Sequence, residues 1–267
     1  MITTFGILLA LAAPGGGPYV DSQGNVYHEL PSPHDYADFA TFDALFGHEV
    51  FTNRDGHRFQ IDRELTDEEL AYSLWLQEVL NGLQHVPGGG ATVRATVRTH
   101  HPVDEEYRGQ FATTRDIRIH VVGEVERCDD ALQSQFGIDF VPSSGCAWDS
   151  QDNGAIDQLL DEAYNECGGL NGQDMMIALT AQSNFGGAIG VGYIGLPRQL
   201  TTKYFSFEAE IMQHEAGHNY TLFHCCDNNC IMQSFLDVGA FGNFHNYQEG
   251  CSGQNHFSTM QAQSNRY

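Results

Sequence analysis

Residues 214–224 read His-Glu-Ala-Gly-His-Asn-Tyr-Thr-Leu-Phe-His, and the interpretation of the chain starts from this stretch. Residues four apart on an α-helix lie on nearly the same face, so His214 and His218 can bind one zinc ion together. Glu215 then lies beside the metal, where its carboxylate can take a proton from a metal-bound water. A sharp turn after the helix would bring His224 back as a third nitrogen ligand. Three protein ligands and a water are typical of a catalytic zinc site, because a structural site has a fourth protein ligand.

A methionine, Met232, follows His224 by eight residues within the sequence Cys230-Ile231-Met232. With this feature the sequence resembles the metzincin clan of zinc endopeptidases. The signature of that clan, HExxHxxGxxH, is followed by a turn that carries a methionine beneath the zinc. The resemblance covers residues 91–267 and is strongest over residues 206–233.

The resemblance implies a role for each of five residues: His214, His218 and His224 as zinc ligands, Glu215 as general base, and Met232 as the methionine of the turn. It implies a secreted zinc-dependent endopeptidase that cleaves a protein or peptide substrate with a zinc-bound water, and one catalytic zinc as cofactor. The implied fold is α+β with an α/β-like upper part, in which a twisted mixed sheet backs two main helices. The zinc helix and a small irregular C-terminal subdomain complete this fold.

Metzincins bind an extended substrate at a sheet edge that precedes the zinc helix, and residues Gly187 to Ile194 lie in the matching place. An exposed edge of this kind can pair with a peptide by adding a strand. An interior strand or a glycine-rich loop is the alternative interpretation of this stretch.

Two positions depart from the metzincin signature. Thr221 stands where the clan has a glycine with positive φ, which costs a β-branched residue about 1 kcal/mol or more. We therefore expect the turn before His224 to be rebuilt. Cys225 follows the third histidine where the reprolysin branch, which shares the Cys-Ile-Met sequence, has an aspartate.

The cysteines near the histidine motif allow two interpretations. His224-Cys225-x4-Cys230-x-Met232 is similar to archaemetzincins, which bind a second, structural zinc with four cysteines. Cys251 lies in the corresponding region, but Gln254 occupies the position of the last cysteine. The alternatives are a second zinc site that is completed by Cys226 or His256, and, more simply, disulfides among Cys225, Cys226, Cys230 and Cys251.

Composition limits the classes of function. The chain has 35 acidic and 12 basic residues and a net charge of −23, which argues against a nucleic-acid binder because phosphates would not be neutralised. Lys203 is the single lysine. An acidic surface almost without lysine resembles halophilic proteins, in which carboxylates keep the surface hydrated and salt screens their repulsion. An acidic secreted protein from an ordinary source is the alternative.

Periodicity predicts the positions of the main elements. The predicted strands are Ala91–Thr99, Ile117–Val125, Gly137–Val141 and Met175–Thr180. The predicted helices are Thr66–Leu83, which opens with a capping box, Ile156–Cys167, and a helix capped by Ser206 that continues to Asn219.

The sequence divides into three regions. Residues 1–17 contain a short apolar run followed by small residues and are predicted to be an export segment, with an apolar strand or tail as the alternative. Residues 18–90 are a propeptide or a structural extension that ends at Val86–Gly90, and residues 91–267 form the zinc peptidase domain. Seven cysteines also favour a location outside the cell, although a cytoplasmic one stays open.

Two other function classes stay open. The first is an intracellular archaemetzincin-like peptidase, and the second is a zinc- and disulfide-stabilised binding module that lacks catalysis. Oligomeric state is not indicated by any pattern. Surface positions or hydrogen-bonded core positions are expected for the histidines outside the motif: His100, His101, His120, His245 and His256.

Overall fold

A five-stranded sheet is the centre of the fold. The computed structural model describes residues 19–27, 31, 36–37, 39–46 and 95–267, except residues 153, 183–187, 205, 228, 235 and 237. In chain order the strands are β1 (Tyr19–Val20), β2 (Val26–Tyr27), β3 (Ala95–Val103), β4 (Ile138–Ala147), β5 (Met175–Thr180), β6 (Gly190–Gly192) and β7 (Arg198–Thr202). The helices are α1 (Phe39–Phe46), α2 (Glu105–Arg108), α3 (Thr114–Phe136), α4 (Ile156–Glu166), α5 (Glu208–Asn219) and α6 (His256–Gln263).

The main sheet has the order β4-β3-β5-β7-β6 and is mixed. Its first four strands are parallel, and β6 pairs antiparallel with β7 at the edge. β5 is buried on both faces, as expected for a strand at the centre of a sheet. Met175, Ile177 and Leu179 join the apolar cluster that includes residues of α3 and α5, whereas Met176 and Ala178 join the cluster that includes residues of α4.

One prediction was wrong: residues Ile117–Val125 form part of the 23-residue helix α3 rather than a strand. The β-branched residues favoured a strand, but the helical spacing decides the structure. Val121 and Val125 are buried, whereas Ile119 and Val122 are 61% and 42% exposed. Burial every four residues is the pattern of a helix that packs one face on a sheet.

Other predicted elements are confirmed with shifted ends. β5 has the predicted bounds, and α4 ends one residue before the predicted Cys167. β4 continues to Ala147, beyond the predicted Val141. β3 runs from Ala95 to Val103, and residues 91–94 of the predicted strand lie outside the described residues.

Part of the N-terminal region packs on the domain that follows it. Phe42 and Phe46 of α1 belong to the same apolar cluster as Trp148 and Leu160. Arg266 also donates a hydrogen bond of 2.6 Å to the backbone carbonyl of Pro31. The predicted export segment 1–17, the predicted helix 66–83 and the predicted boundary 86–90 lie outside the described residues. Within the part of the chain that the structure describes, no helix has both the length and the apolar composition to cross a bilayer.

Candidate metal centre

Helix α5 is buried along its whole length, with all 12 residues excluded from solvent. Its first turn carries two acidic residues, Glu208 and Glu210, which suit the positive end of the helix dipole. Lys203 pairs with Glu208 at 2.7 Å, and Arg127 pairs with Glu210 at 3.1 Å. The predicted cap at Ser206 was wrong, because Phe207 occupies the N-cap position and makes no side-chain cap. The two ion pairs hold the first turn of the helix against β7 and α3.

The three histidines of the motif lie together at the end of this helix. The Nε2 atoms of His214 and His218 are 3.2 Å apart, and the Nε2 atom of His224 lies 3.1 Å from each of them. Ligands about 2.0–2.1 Å from a tetrahedral zinc are separated from one another by about 3.3–3.4 Å. The near-equilateral triangle of nitrogen atoms therefore fits a single zinc ion.

Backbone carbonyls orient two of the imidazole rings. His214 Nδ1 lies 2.6 Å from the carbonyl of Ile231, and His218 Nδ1 lies 2.8 Å from the carbonyl of Leu222. A carbonyl can only accept, so each Nδ1 carries the proton and each Nε2 carries the lone pair that a metal requires. Burial, together with the neighbouring His224 and His214, lowers the pKa of His218 well below its usual range. His218 is therefore in the neutral form that binds metal.

The turn after α5 keeps a left-handed residue although glycine is absent. Thr221 has φ of 75°, so the expectation that this turn is rebuilt was wrong. The Thr221 amide donates to His218 at 2.9 Å, and the Leu222 amide donates to Gly217 at 2.9 Å. These two hydrogen bonds form the Schellman arrangement that ends a helix and reverses the chain. The reversal carries His224 back to the two helical histidines.

Gln254 braces this turn from a distant part of the chain. Its side-chain carbonyl accepts from the Phe223 amide at 2.9 Å, and its side-chain amide donates to the Thr221 carbonyl at 3.0 Å. The Gln254 residue is 1% exposed, so both hydrogen bonds are shielded from water. Two hydrogen bonds from one buried amide offset the cost of the left-handed backbone at Thr221.

Met232 lies beneath the helix and is fully buried. A Cβ atom at position 217 would collide with the Met232 sulfur, so glycine at this position allows the helix backbone to contact the Met232 side chain closely. The Met232 carbonyl accepts from the Cys225 amide at 2.9 Å, which links the methionine turn to the residue that follows His224. The predicted methionine turn is therefore packed against the helix that carries His214 and His218.

Glu215 is 1% exposed and faces the edge strand β6. A Cβ atom at Gly190 would overlap a carboxylate oxygen of Glu215, and a Cβ atom at Gly192 would lie 2.6 Å from the Glu215 backbone carbonyl. Glycine at both positions therefore allows the strand to approach the helix closely enough to enclose the carboxylate.

The cysteines are divided between disulfides and free thiols. The disulfides join Cys146 to Cys167 and Cys226 to Cys251. Of the four cysteines expected to pair with one another, only Cys226 and Cys251 do so. Cys225 and Cys230 are free and buried, as is Cys128 of α3. Cys226 and Cys251, two candidate ligands for a second zinc, are therefore joined in a disulfide, and Gln254 is hydrogen-bonded to the turn before His224.

Sequence reasoning missed several residues that position the centre. Gly190 and Gly192 lie in the stretch Gly187 to Ile194, which was interpreted either as an edge strand or as an interior strand or glycine-rich loop, and glycine there is a signal of close backbone approach. The bracing role of Gln254 had no local signal, because its partners lie more than 30 residues earlier. His245 was expected to lie apart from any metal-binding partner, yet it lies in a buried group with Cys225, Cys230 and His256.

Comparisons with known proteins place the chain among peptidases. The Reprolysin_5 family model, described as metallo-peptidase family M12, matches residues 93–267. No curated protein matches the sequence. A solved structure titled "Structure of a chaperone-substrate complex" aligns with 13% identity and a TM-score of 0.48. That alignment covers 65% of this chain and 36% of the other, so the match spans about a third of that chain.

Proposed function

The chain belongs to metallopeptidase family M12 and is a zinc metalloprotease, and we propose that His214, His218 and His224 hold its catalytic zinc. The observation that carries this proposal is the triangle of three Nε2 atoms with sides of 3.1–3.2 Å. Burial of His218 and the fixed tautomers of His214 and His218 support it, because a metal site requires deprotonated and oriented ligands.

We further propose that Glu215 is the general base. A zinc ion held by His214, His218 and His224 would lower the pKa of a coordinated water to about 7 and would polarise the carbonyl of the peptide bond. Glu215 accepts the proton of the attacking water and delivers it to the nitrogen of the leaving amine. The enclosure of its carboxylate by β6 and α5 holds the base in one place for both transfers.

The substrate is proposed to be an extended protein or peptide segment that pairs with β6. This strand is the last in the sheet order and lies directly beside Glu215. Backbone hydrogen bonds to an edge strand give affinity without regard to sequence, while neighbouring pockets choose the side chains. Such pairing would place the scissile bond next to the base.

The protein is proposed to act outside the cell, and in a saline medium. Two disulfides support an oxidising compartment, because reduced thiols prevail in the cytosol. A net charge of −23 supports a medium in which salt screens the repulsion between surface carboxylates. Activity is therefore expected to increase from low salt to molar salt.

A peptidase assay on the full chain tests the function. Wild-type protein in molar salt should cleave an unfolded protein substrate, and a zinc chelator should stop the cleavage. Glu215→Gln should lower kcat/KM by about 10²–10⁴-fold, because the base is lost, while the bound zinc is retained. Glu166→Gln, an exposed substitution at the end of α4, is the matched control and should behave as wild type. Cleavage that survives the chelator, or a Glu215→Gln variant with full activity, would contradict the proposal.

A further inference from the structure

A second group of metal-binding side chains lies beside the three-histidine centre. Cys225, Cys230, His245 and His256 each offer one ligand atom, and the four atoms lie within 4.8 Å of one another. All four residues are buried, and none is more than 8% exposed. We propose that these four side chains bind a second zinc ion that is structural rather than catalytic.

The donor atoms suit zinc. Two thiolate sulfurs and two imidazole nitrogens make a tetrahedral set of the kind found in structural zinc sites, in which ligand atoms lie about 3.3–3.8 Å from one another. The Cys230 sulfur and His256 Nδ1 are already 3.2 Å apart. Two thiolates also balance the double positive charge of the zinc ion, so the complete site has no net charge. This matters because burying an uncompensated charge is costly.

The orientation of His245 points to a ligand. Its Nδ1 atom lies 2.9 Å from the carbonyl of Tyr247, so Nδ1 carries the proton and Nε2 carries the lone pair. That Nε2 atom is buried and has no hydrogen-bond partner among the described residues. A buried acceptor without a partner is costly, and a metal ion in the group would satisfy it. A carbonyl on the other ring nitrogen is the usual support for a histidine that binds metal.

The four residues come from separate places in a region with little regular structure. Cys225 and Cys230 bound the loop after His224, His245 lies in an irregular stretch, and His256 is the first residue of α6. The Phe257 amide donates to the His245 carbonyl at 3.1 Å, which fixes the two histidines together. Among the described residues between α5 and α6, Val238–Ala240 is the one helical turn. A segment with so little regular structure gains from crosslinks, and a closed zinc site would add one to the Cys226–Cys251 disulfide.

The second zinc would also support the catalytic centre. Cys225 follows His224 directly, and Cys230 precedes Ile231, whose carbonyl orients His214 at 2.6 Å. Fixing both cysteines therefore fixes the backbone on either side of the methionine turn. The second site has no open coordination position and takes no part in hydrolysis.

Metal and thiol measurements on the full chain test the proposal. We expect two zinc ions per chain, and three reactive thiols after unfolding with a chelator, from Cys128, Cys225 and Cys230. His256→Ala and Cys230→Ser should each lower the zinc content by one ion. Cys128→Ser, which removes a buried thiol outside the group, should keep both ions. One zinc with one reactive thiol would overturn the proposal in favour of a third disulfide between Cys225 and Cys230, and one zinc with three thiols would mean an empty group.

Cobalt(II) exchange keeps the test valid if a variant does not fold. Cobalt bound by thiolates absorbs strongly in the near ultraviolet by charge transfer, whereas a site of three imidazoles has no thiolate to give this band. Cobalt-exchanged wild type should show the band, and so should His218→Ala, in which the catalytic site is disabled. The two sites are thereby tested separately. Absence of the band from cobalt-loaded wild type would contradict the second site even if the catalytic site binds metal as proposed.

Discussion

Helix α5 and the segment that follows it, residues 220–255, both provide histidines for the same centre but position them differently. The helix is buried against β6, β7 and α3, so regular hydrogen bonding and apolar packing place His214 and His218. In the segment, position depends on individual long-range contacts. Gln254, the Cys226–Cys251 disulfide and the Cys225–Cys230–His245–His256 group fix the chain around His224.

One metal centre can therefore depend on two kinds of structural support, a packed helix and a set of long-range contacts. A packed helix tolerates the loss of one contact, because many others remain. A segment with little regular structure depends more on each of its long-range contacts, so the removal of one is expected to shift it further. Substitutions far from the histidines should therefore disturb zinc binding when they fall in the segment and not when they fall behind the helix.

The largest expected effect comes from removing one ligand from each region. Loss of a residue that hydrogen-bonds to a zinc ligand typically weakens metal binding by about 10–100-fold. His218→Ala and His224→Ala each remove a ligand itself, so each should weaken binding of the catalytic zinc by more than that. Peptidase activity should fall below detection in both variants. Zinc titration by competition with a chelator checks this result. A His224→Ala variant with wild-type affinity and activity would exclude the segment from the centre.

Gln254→Ala should have the next largest effect. It leaves the buried Phe223 amide and Thr221 carbonyl without their partner, which costs about 1–3 kcal/mol of unfolding free energy. Catalytic zinc affinity should also fall, by about 10-fold, because His224 loses its fixed approach. Denaturant unfolding and zinc competition measure the two effects. Gln248→Ala, at an exposed site nearby, is the control, and equal behaviour of the two variants would refute the brace.

The two disulfides allow a matched comparison of the regions. They close loops of 21 and 25 residues, so removing either pair by serine substitution should cost about 2–4 kcal/mol of stability. Only the Cys226→Ser/Cys251→Ser pair should also weaken zinc binding, by a few-fold, because it loosens the segment. The Cys146→Ser/Cys167→Ser pair should leave zinc affinity unchanged. The same loss of affinity in both double variants would remove the distinction between the regions.

Thr221→Gly should have the smallest effect and the opposite sign. Glycine removes a left-handed penalty of about 1–2 kcal/mol and adds a backbone entropy cost of about 0.5–1 kcal/mol, so a net gain of about 0.5–1 kcal/mol is expected. Thermal unfolding should show a rise of a few degrees at most. Thr96→Gly, at an exposed position of β3, is the control. Thr96 has no left-handed backbone penalty to remove, so this variant should be destabilised. A destabilised Thr221→Gly variant would show that the threonine side chain contributes more than its backbone costs.

The same contrast explains what the sequence could predict. α4 and β5 follow from local periodicity and end signals, whereas α5 was predicted with the wrong cap. The ligand-bearing face of α5 follows from the spacing of His214 and His218 alone. α3 was mistaken for a strand because β-branched residues were weighed above their four-residue spacing. Only the folded chain shows which surfaces these residues meet.

The contacts of the segment could not be predicted, because none of them has a fixed spacing. Gln254 contacts residues more than 30 positions away, and His245 and His256 reach Cys225 and Cys230 only through the fold. The left-handed Thr221 was also unexpected, because local energetics favour another backbone there. Tertiary hydrogen bonds overrode that preference.

Anomalous diffraction at the zinc absorption edge, on crystals of the wild-type chain, tests the central claim most directly. We predict a zinc peak on the axis through the centre of the triangle formed by the Nε2 atoms of His214, His218 and His224, out of its plane and about 2.0–2.1 Å from each nitrogen. A peak bound by His214 and His218 alone, with His224 turned away, or no peak between these histidines in zinc-loaded crystals, would contradict it.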